Sequence, residues 1–117
     1  IEKIKNIIID LVHYQNNDSK INLSDVLTEE LNLDYNYISN LFSEVEGLTV
    51  EKYYIAQKIE KVKELLVYDE LSLSEIAYRL NYSSVAYLSN QFKKVTGLTP
   101  SHFKQIKEEK RKPLDKM

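Results

Sequence analysis

The amino-acid sequence predicts an all-α fold of about seven helices, in which two similar helix-turn-helix units are joined by one long linker helix. Three observations point there. The chain repeats itself: Tyr37-Ile38-Ser39-Asn40-Leu41-Phe42 and Gly47-Leu48-Thr49 answer Tyr87-Leu88-Ser89-Asn90-Gln91-Phe92 and Gly97-Leu98-Thr99 at an offset of 50, the mark of a duplicated supersecondary unit. The chain has two glycines, Gly47 and Gly97, and they fall at equivalent places in the repeat. Between the repeats, positions 50–68 carry apolar residues at helical spacing with no proline or glycine. The expected organisation is a first helix-turn-helix subdomain over 1–49, a linker helix over 50–68, and a second subdomain with a charged tail over 69–117.

The elements follow in order. Ile4, Ile7, Ile8, Leu11 and Val12 give an amphipathic first helix. Short helices are predicted over Ser24–Leu31 and Ser74–Leu80. Ser24 and Ser74 are read as N-caps, since a serine oxygen accepts from a free backbone N–H, and Asp25 and Glu75 suit the positive helix end. Turns follow at Leu33-Asp34 and Tyr82-Ser83-Ser84, whose polar residues can cap the next helices. Those run over Tyr35–Glu46 and Val85–Thr96, with Ile38, Leu41, Phe42 and Val45, or Leu88, Phe92 and Val95, turned inward. Gly47 and Gly97 end them in the left-handed conformation. Thr49 and Thr99 cap what comes next, with Pro100 at a first helical position.

The linker helix, Val50 to Tyr68, puts Ile55, Ile59, Val62, Leu65 and Leu66 on one stripe, with Lys58, Glu60, Lys61, Lys63 and Glu64 largely on other faces. Nineteen residues at ~1.5 Å each make a rod of roughly 28 Å. A last helix holds Phe103 and Ile106 inside, and the tail from Glu108 to Met117, broken by Pro113, is expected to fray. Tyr37, Tyr87, Phe42, Phe92 and Phe103 are read as core or core-edge aromatics, and His13 and His102 as structural or exposed.

Composition narrows the function. Of the 117 residues, 43% are hydrophobic and 29% charged, the balance of a soluble globular chain. The longest strongly apolar run, Ile7-Ile8-Ile9, stops at Asp10, far short of the ~20 residues that span a bilayer. Without cysteine there is no disulfide or thiolate site, no signal-peptide pattern opens the chain, and a cytoplasmic setting is expected. Opening on Ile1, the chain is read as a fragment of something longer. No phosphate loop, His-Glu-x-x-His pattern or cysteine nucleophile is present, so neither an enzyme nor a cofactor is expected. The net charge of −2 argues against a polyanion partner, but its distribution matters more. Residues 21–50 hold six carboxylates, Asp25, Glu29, Glu30, Asp34, Glu44 and Glu46, and no lysine or arginine, whereas 71–100 sum to +2 and 101–117 to +3.

The stretch Leu73-Ser74-Glu75-Ile76-Ala77-Tyr78-Arg79-Leu80-Asn81-Tyr82-Ser83-Ser84 and, above all, Phe92-Lys93-Lys94 followed by Gly97-Leu98-Thr99-Pro100 resemble the second helix-turn-helix of the AraC/XylS family of bacterial transcription regulators. Linker residues 58–66 and the weaker first unit share the likeness, so it covers nearly the whole chain. The resemblance implies homeodomain-like units that each place a second helix in the major groove of double-stranded DNA, with the linker helix setting them in successive grooves. By the same resemblance Val85, Ala86, Ser89 and Asn90 face base edges and Lys93 a phosphate, while Asn36, Ser39, Asn40 and Ser43 are the first unit's equivalents. Asparagine can pair with adenine in bidentate fashion, and Val85 or Ala86 can pack on a thymine methyl.

The sequence departs from the family where Asn40 and Asn90 stand in place of frequent arginines and Ser43 in place of a basic residue. Six carboxylates in the first unit add repulsion toward a polyanion. The second unit is therefore expected to supply most of the affinity. The alternative is a degenerate helix-turn-helix module whose acidic first unit binds a protein, with RNA polymerase or an upstream regulatory domain as the candidate partners. Asn40, Asn90, Lys93 and Lys94 also carry the plainer reading of solvated surface. So do Lys104, Lys107, Lys110, Arg111, Lys112 and Lys116.

Overall fold

A computed structural model describes residues 1–13, 22–68 and 71–110. They form seven helices and, among the described residues, no strand: α1 (Glu2–His13), α2 (Leu23–Leu31), α3 (Tyr35–Glu46), α4 (Val50–Tyr68), α5 (Leu73–Arg79), α6 (Val85–Thr96) and α7 (Pro100–Lys110). The all-α class is as the sequence predicts. The chain divides into two compact units, Ile1–Lys58 and Ile59–Met117, with the boundary inside α4.

In the first unit, Ile4 and Ile8 of α1, Leu27 of α2, Ile38 and Phe42 of α3 and Val50 of α4 close into one core. Each of these elements gives only its apolar stripe to the interior. Phe42 is fully buried and meets Tyr53 edge-on at 5.5 Å between ring centres. Burial of such a ring contributes about 2–3 kcal/mol. Lys5 ties α1 to the end of α3 through a 2.7 Å ion pair with Glu46, and its ammonium lies 5.9 Å from the Tyr53 ring centre. The hydrogen bond to Glu46 raises the Lys5 ammonium above its ordinary value.

The second unit repeats the scheme. Ile76, Ala77, Leu88, Phe92 and Pro100 are buried, as are Ile59, Val62, Leu65 and Leu66 of α4. Phe92 takes the place of Phe42, meeting Phe103 edge-on at 5.6 Å where the first unit uses Tyr53. Phe103 and Ile106 are half-buried.

Helix ends explain why the boundaries lie where they do. Asp34 and Ser84 cap α3 and α6 by accepting from the N–H of Asn36 (3.0 Å) and Tyr87 (3.0 Å). Gly47 and Gly97 close them at φ 79° and 85°, a region costly for any residue with a Cβ. Thr49 and Thr99 accept from the N–H of Lys52 and His102.

The caps of the shorter helices differ from the sequence reading. α2 starts at Leu23 and is capped by Asn22, whose Oδ1 accepts from the N–H of Ser24 (3.0 Å) and Asp25 (3.4 Å). α5 starts at Leu73 and is capped by Ser72 in a reciprocal capping box with Glu75. Ser24 and Ser74 thus lie one residue inside their helices. A cap must sit outside the helix with its oxygen aimed back at the second or third N–H, and Asn22 and Ser72 satisfy that geometry two residues earlier.

Two further expectations fail. Val45 and Val95, read as core, are 58% and 50% exposed. Both lie in the last turn of α3 or α6, seven residues after buried Ile38 or Leu88, and the inner stripe is left uncovered there. Lys58, read on an outer face, is buried at 8% exposure, its ammonium 5.2 Å from the Tyr54 ring centre. Burial lowers its ammonium to a pKa of about 8. The tail residues Arg111, Lys112, Pro113 and Lys116 lie outside the described residues.

Candidate nucleic-acid interface

Each unit offers solvent the outer face of its second helix. In α3 the buried residues Ile38 and Phe42 define the inner stripe. Residues at i, i+4 and i+7 share a face, so Asn36, Asn40 and Ser43 fall together on the opposite side. Asn36 and Asn40 are exposed and Ser43 half-buried; Ser39, on the edge, is half-buried. In α6 the inner stripe is Leu88 and Phe92, and the outer one is Ala86, Asn90 and Lys93, all exposed. Val85 and Ser89 are half-buried at its margin. Asn40 and Asn90 occupy the centres of the two outer faces. Within each unit the structure therefore groups the residues singled out from sequence on one helix face, with Val85 and the two serines at its border.

The turns before these helices are built on asparagine. Asn32 and Asn81 take φ of 54° and 64°, the left-handed region that asparagine tolerates better than other side-chain-bearing residues. The N–H of Asn32 donates to the Thr28 carbonyl, and that of Tyr82 to the Ala77 carbonyl, which ties each turn back to the helix before it. The second turn carries more. The Tyr82 hydroxyl donates to Gln91 Oε1 at 2.5 Å, fastening turn to helix next to Asn90, and the Tyr82 ring meets Tyr87 edge-on at 5.8 Å. In the first unit the Tyr35 hydroxyl donates to the Glu51 carboxylate, which fixes the start of α3 to the start of α4. Burial first, then that hydrogen bond, pushes the Tyr35 phenol well above its ordinary value.

Tyr37 and Tyr87 are not core residues: they are 57% and 53% exposed. Each precedes an inward residue, Ile38 or Leu88, and successive helical residues point about 100° apart, so neither tyrosine can share the inner stripe. They flank the outer face, with Glu44 or Lys94 seven residues on. The sequence signal was available in that spacing.

Charge separates the two faces. Lys93 and Lys94 are exposed on α6, where α3 carries half-buried Ser43 and exposed Glu44. Around α3, Asp25, Glu29, Glu30 and Asp34 are exposed as well, whereas Glu46 is held by Lys5. His102 is exposed, and His13 Nε2 lies 3.2 Å from Gln57 Oε1. Lys104 is half-buried and Lys107 and Lys110 are exposed on α7. Among the described residues no group of three or more His, Cys, Asp or Glu is placed to hold a metal, and no helix is long and apolar enough to cross a membrane.

A helix-turn-helix domain family matches residues 27–106. The chain belongs to the AraC/XylS-type helix-turn-helix family. It is 28% identical over 97 residues to the melibiose operon regulatory protein of Escherichia coli, a match covering 83% of this chain and 32% of that protein. The C-terminal domain of the two-component response regulator yesN from Fusobacterium nucleatum is 32% identical, with a TM-score of 0.72 over 88% of this chain and 95% of that one. The DNA-binding domain of AdpA, a global transcriptional factor solved in complex with a target DNA, shares the fold at a TM-score of 0.79, with 15% identity and 94% of both chains covered. The AraC-type chain spans 14% to about a third of the length of the curated relatives it matches. The family is one of DNA-binding domains of transcription regulators.

Proposed function

We propose that this chain binds double-stranded DNA sequence-specifically and serves as the DNA-binding part of a cytoplasmic transcription regulator. The observation that carries the reading is the outer face of α6: an exposed asparagine at its centre, flanked by two exposed lysines, on a helix capped and fastened at its turn. That arrangement suits a major groove, where an amide reads base edges and cations meet phosphates. In this reading Asn90, Ala86, Val85 and Ser89 read bases and Lys93 holds a phosphate. Asn36, Ser39, Asn40 and Ser43 are the first unit's contacts, made in a neighbouring groove with little help from charge.

The acidic surface around α3 favours a second reading for the first unit alone, in which it meets a protein surface, RNA polymerase or an upstream regulatory domain, instead of a duplex.

Gel shifts with promoter DNA from the chain's own genomic neighbourhood test the main reading. Saturable binding that weakens with salt is expected; no saturable binding at low salt, even with the longer protein that contains this chain, contradicts it. Asn90→Ala is expected to relax preference at one base pair and to cost about 1–3 kcal/mol.

A further inference from the structure

The outer faces of α3 and α6 differ at some positions and agree at others. Asn36 and Ala86, Ser43 and Lys93, and Glu44 and Lys94 have diverged; Tyr37 and Tyr87, Ser39 and Ser89, and Asn40 and Asn90 are identical. Among the identical pairs, the tyrosines have no core role that accounts for them, being more than half exposed. Single exposed aromatics are ordinary; what sets this pair apart is its identical place beside Asn40 and Asn90 on the two outer faces. The Tyr87 ring is also held: it rests edge-on against buried Tyr82, whose hydroxyl is fixed to Gln91. A half-exposed ring resting on another has less rotamer freedom left to lose on binding.

Position decides what the hydroxyl meets. On a helix lying in a groove, the centre of the outer face reads bases and its flanks face the two strand backbones. Tyr87 and Lys94 are i, i+7 neighbours on one flank, while Lys93 lies on the other side of Asn90. We propose that Tyr87 is a DNA-contacting residue whose hydroxyl donates to a backbone phosphate on the strand that Lys94 also faces, leaving Lys93 for the opposite strand. This rests on the DNA-binding reading given above. In the first unit Tyr37 has the same place but shares its flank with Glu44, which repels the same phosphate.

A phenol is neutral, so it adds affinity without displacing a counterion, and this separates it from a lysine. The full chain and its Y87F and K94Q variants would be titrated with a fluorescent mixed-sequence duplex of about 30 base pairs, three helical turns, over a range of salt. Y87F is expected to weaken binding roughly three- to tenfold, the scale of one hydrogen bond to a charged acceptor, with an unchanged salt slope and melting midpoint. K94Q is expected to lower the slope by about 0.9. Binding by Y87F equal to the parent overturns the proposal, as does a loss of affinity that tracks a fall in melting midpoint, which would assign the hydroxyl to the fold. Failure of the unsubstituted chain to bind any duplex removes the DNA reading itself, a result distinct from a silent Y87F.

Discussion

The two units share one backbone plan and carry opposite surfaces. Both cap the second helix with Asp or Ser, close it with a glycine in the left-handed region, and turn the chain with a left-handed asparagine. Both bury a phenylalanine at the same step against an edge-on aromatic ring. Outside that frame the first unit is acidic around α3, and the second carries two lysines on α6. Fold and binding are therefore separable. The residues that set the geometry are the buried stripe and the helix ends, while the charge of the outer face differs between Ser43 and Lys93 and between Glu44 and Lys94.

The largest effect should fall on the shared frame. Phe42→Ala and Phe92→Ala each remove a fully buried ring and are expected to cost about 3–5 kcal/mol, measured by chemical denaturation. A cost near zero for one of them would break the equivalence of the two cores.

Next comes a feature that only the first unit has. Lys58 is buried, while Glu108, 50 residues on, is exposed. Burial holds the Lys58 pKa at about 8 against an ordinary 10.5, so the unfolded chain keeps this proton more tightly. Stability should rise with pH from about 8 toward 10, above which the raised phenols of Tyr35 and Tyr54 begin to count. Lys58→Met is expected to stabilise the chain at pH 7 by about 1–3 kcal/mol and to flatten that rise. Melts at pH 7 and 9.5 check both.

A charge transplant sharpens the comparison further. Giving α3 the lysines of α6, Ser43→Lys with Glu44→Lys, should tighten duplex binding by up to roughly tenfold and steepen the salt slope if α3 lies against phosphate. An unchanged slope would move the first unit to the protein-partner reading. The smallest effects belong to the caps: Asn22→Ala and Ser72→Ala should each cost about 1 kcal/mol, seen as equal small shifts in denaturation midpoint.

Much of this was legible in the sequence. α3 and α6 have their bounds as read, because Asp34 and Ser84 before them and Gly47 and Gly97 after them leave one choice of register, and α4 starts as read behind the Thr49 cap. The caps of α2 and α5 were misplaced because adjacent polar residues compete: Ser24 and Ser74 follow Asn22 and Ser72 by two positions. The Ser72-x-x-Glu75 pattern would have decided the second. Val45 and Val95 continue the apolar stripe of Ile38 and Leu88 at i+7, and periodicity alone does not show that the stripe ends uncovered. Buried Lys58 could not be read from periodicity, which places side chains on faces but does not reveal what covers them. The outer-face residues were identifiable by repeat and family likeness, and the outward place of the two tyrosines by their position one residue before the inner stripe.

The contrast between α6 and α3 is tested most directly by the salt dependence of duplex binding in two double variants. Lys93→Gln with Lys94→Gln should lower the slope of log K against log salt by about 1.8, at about 0.9 per phosphate contact, whereas Asn36→Ala with Asn40→Ala should leave the slope where it was. A slope unmoved by loss of the two lysines would contradict the assignment of α6 as the helix that holds the phosphates.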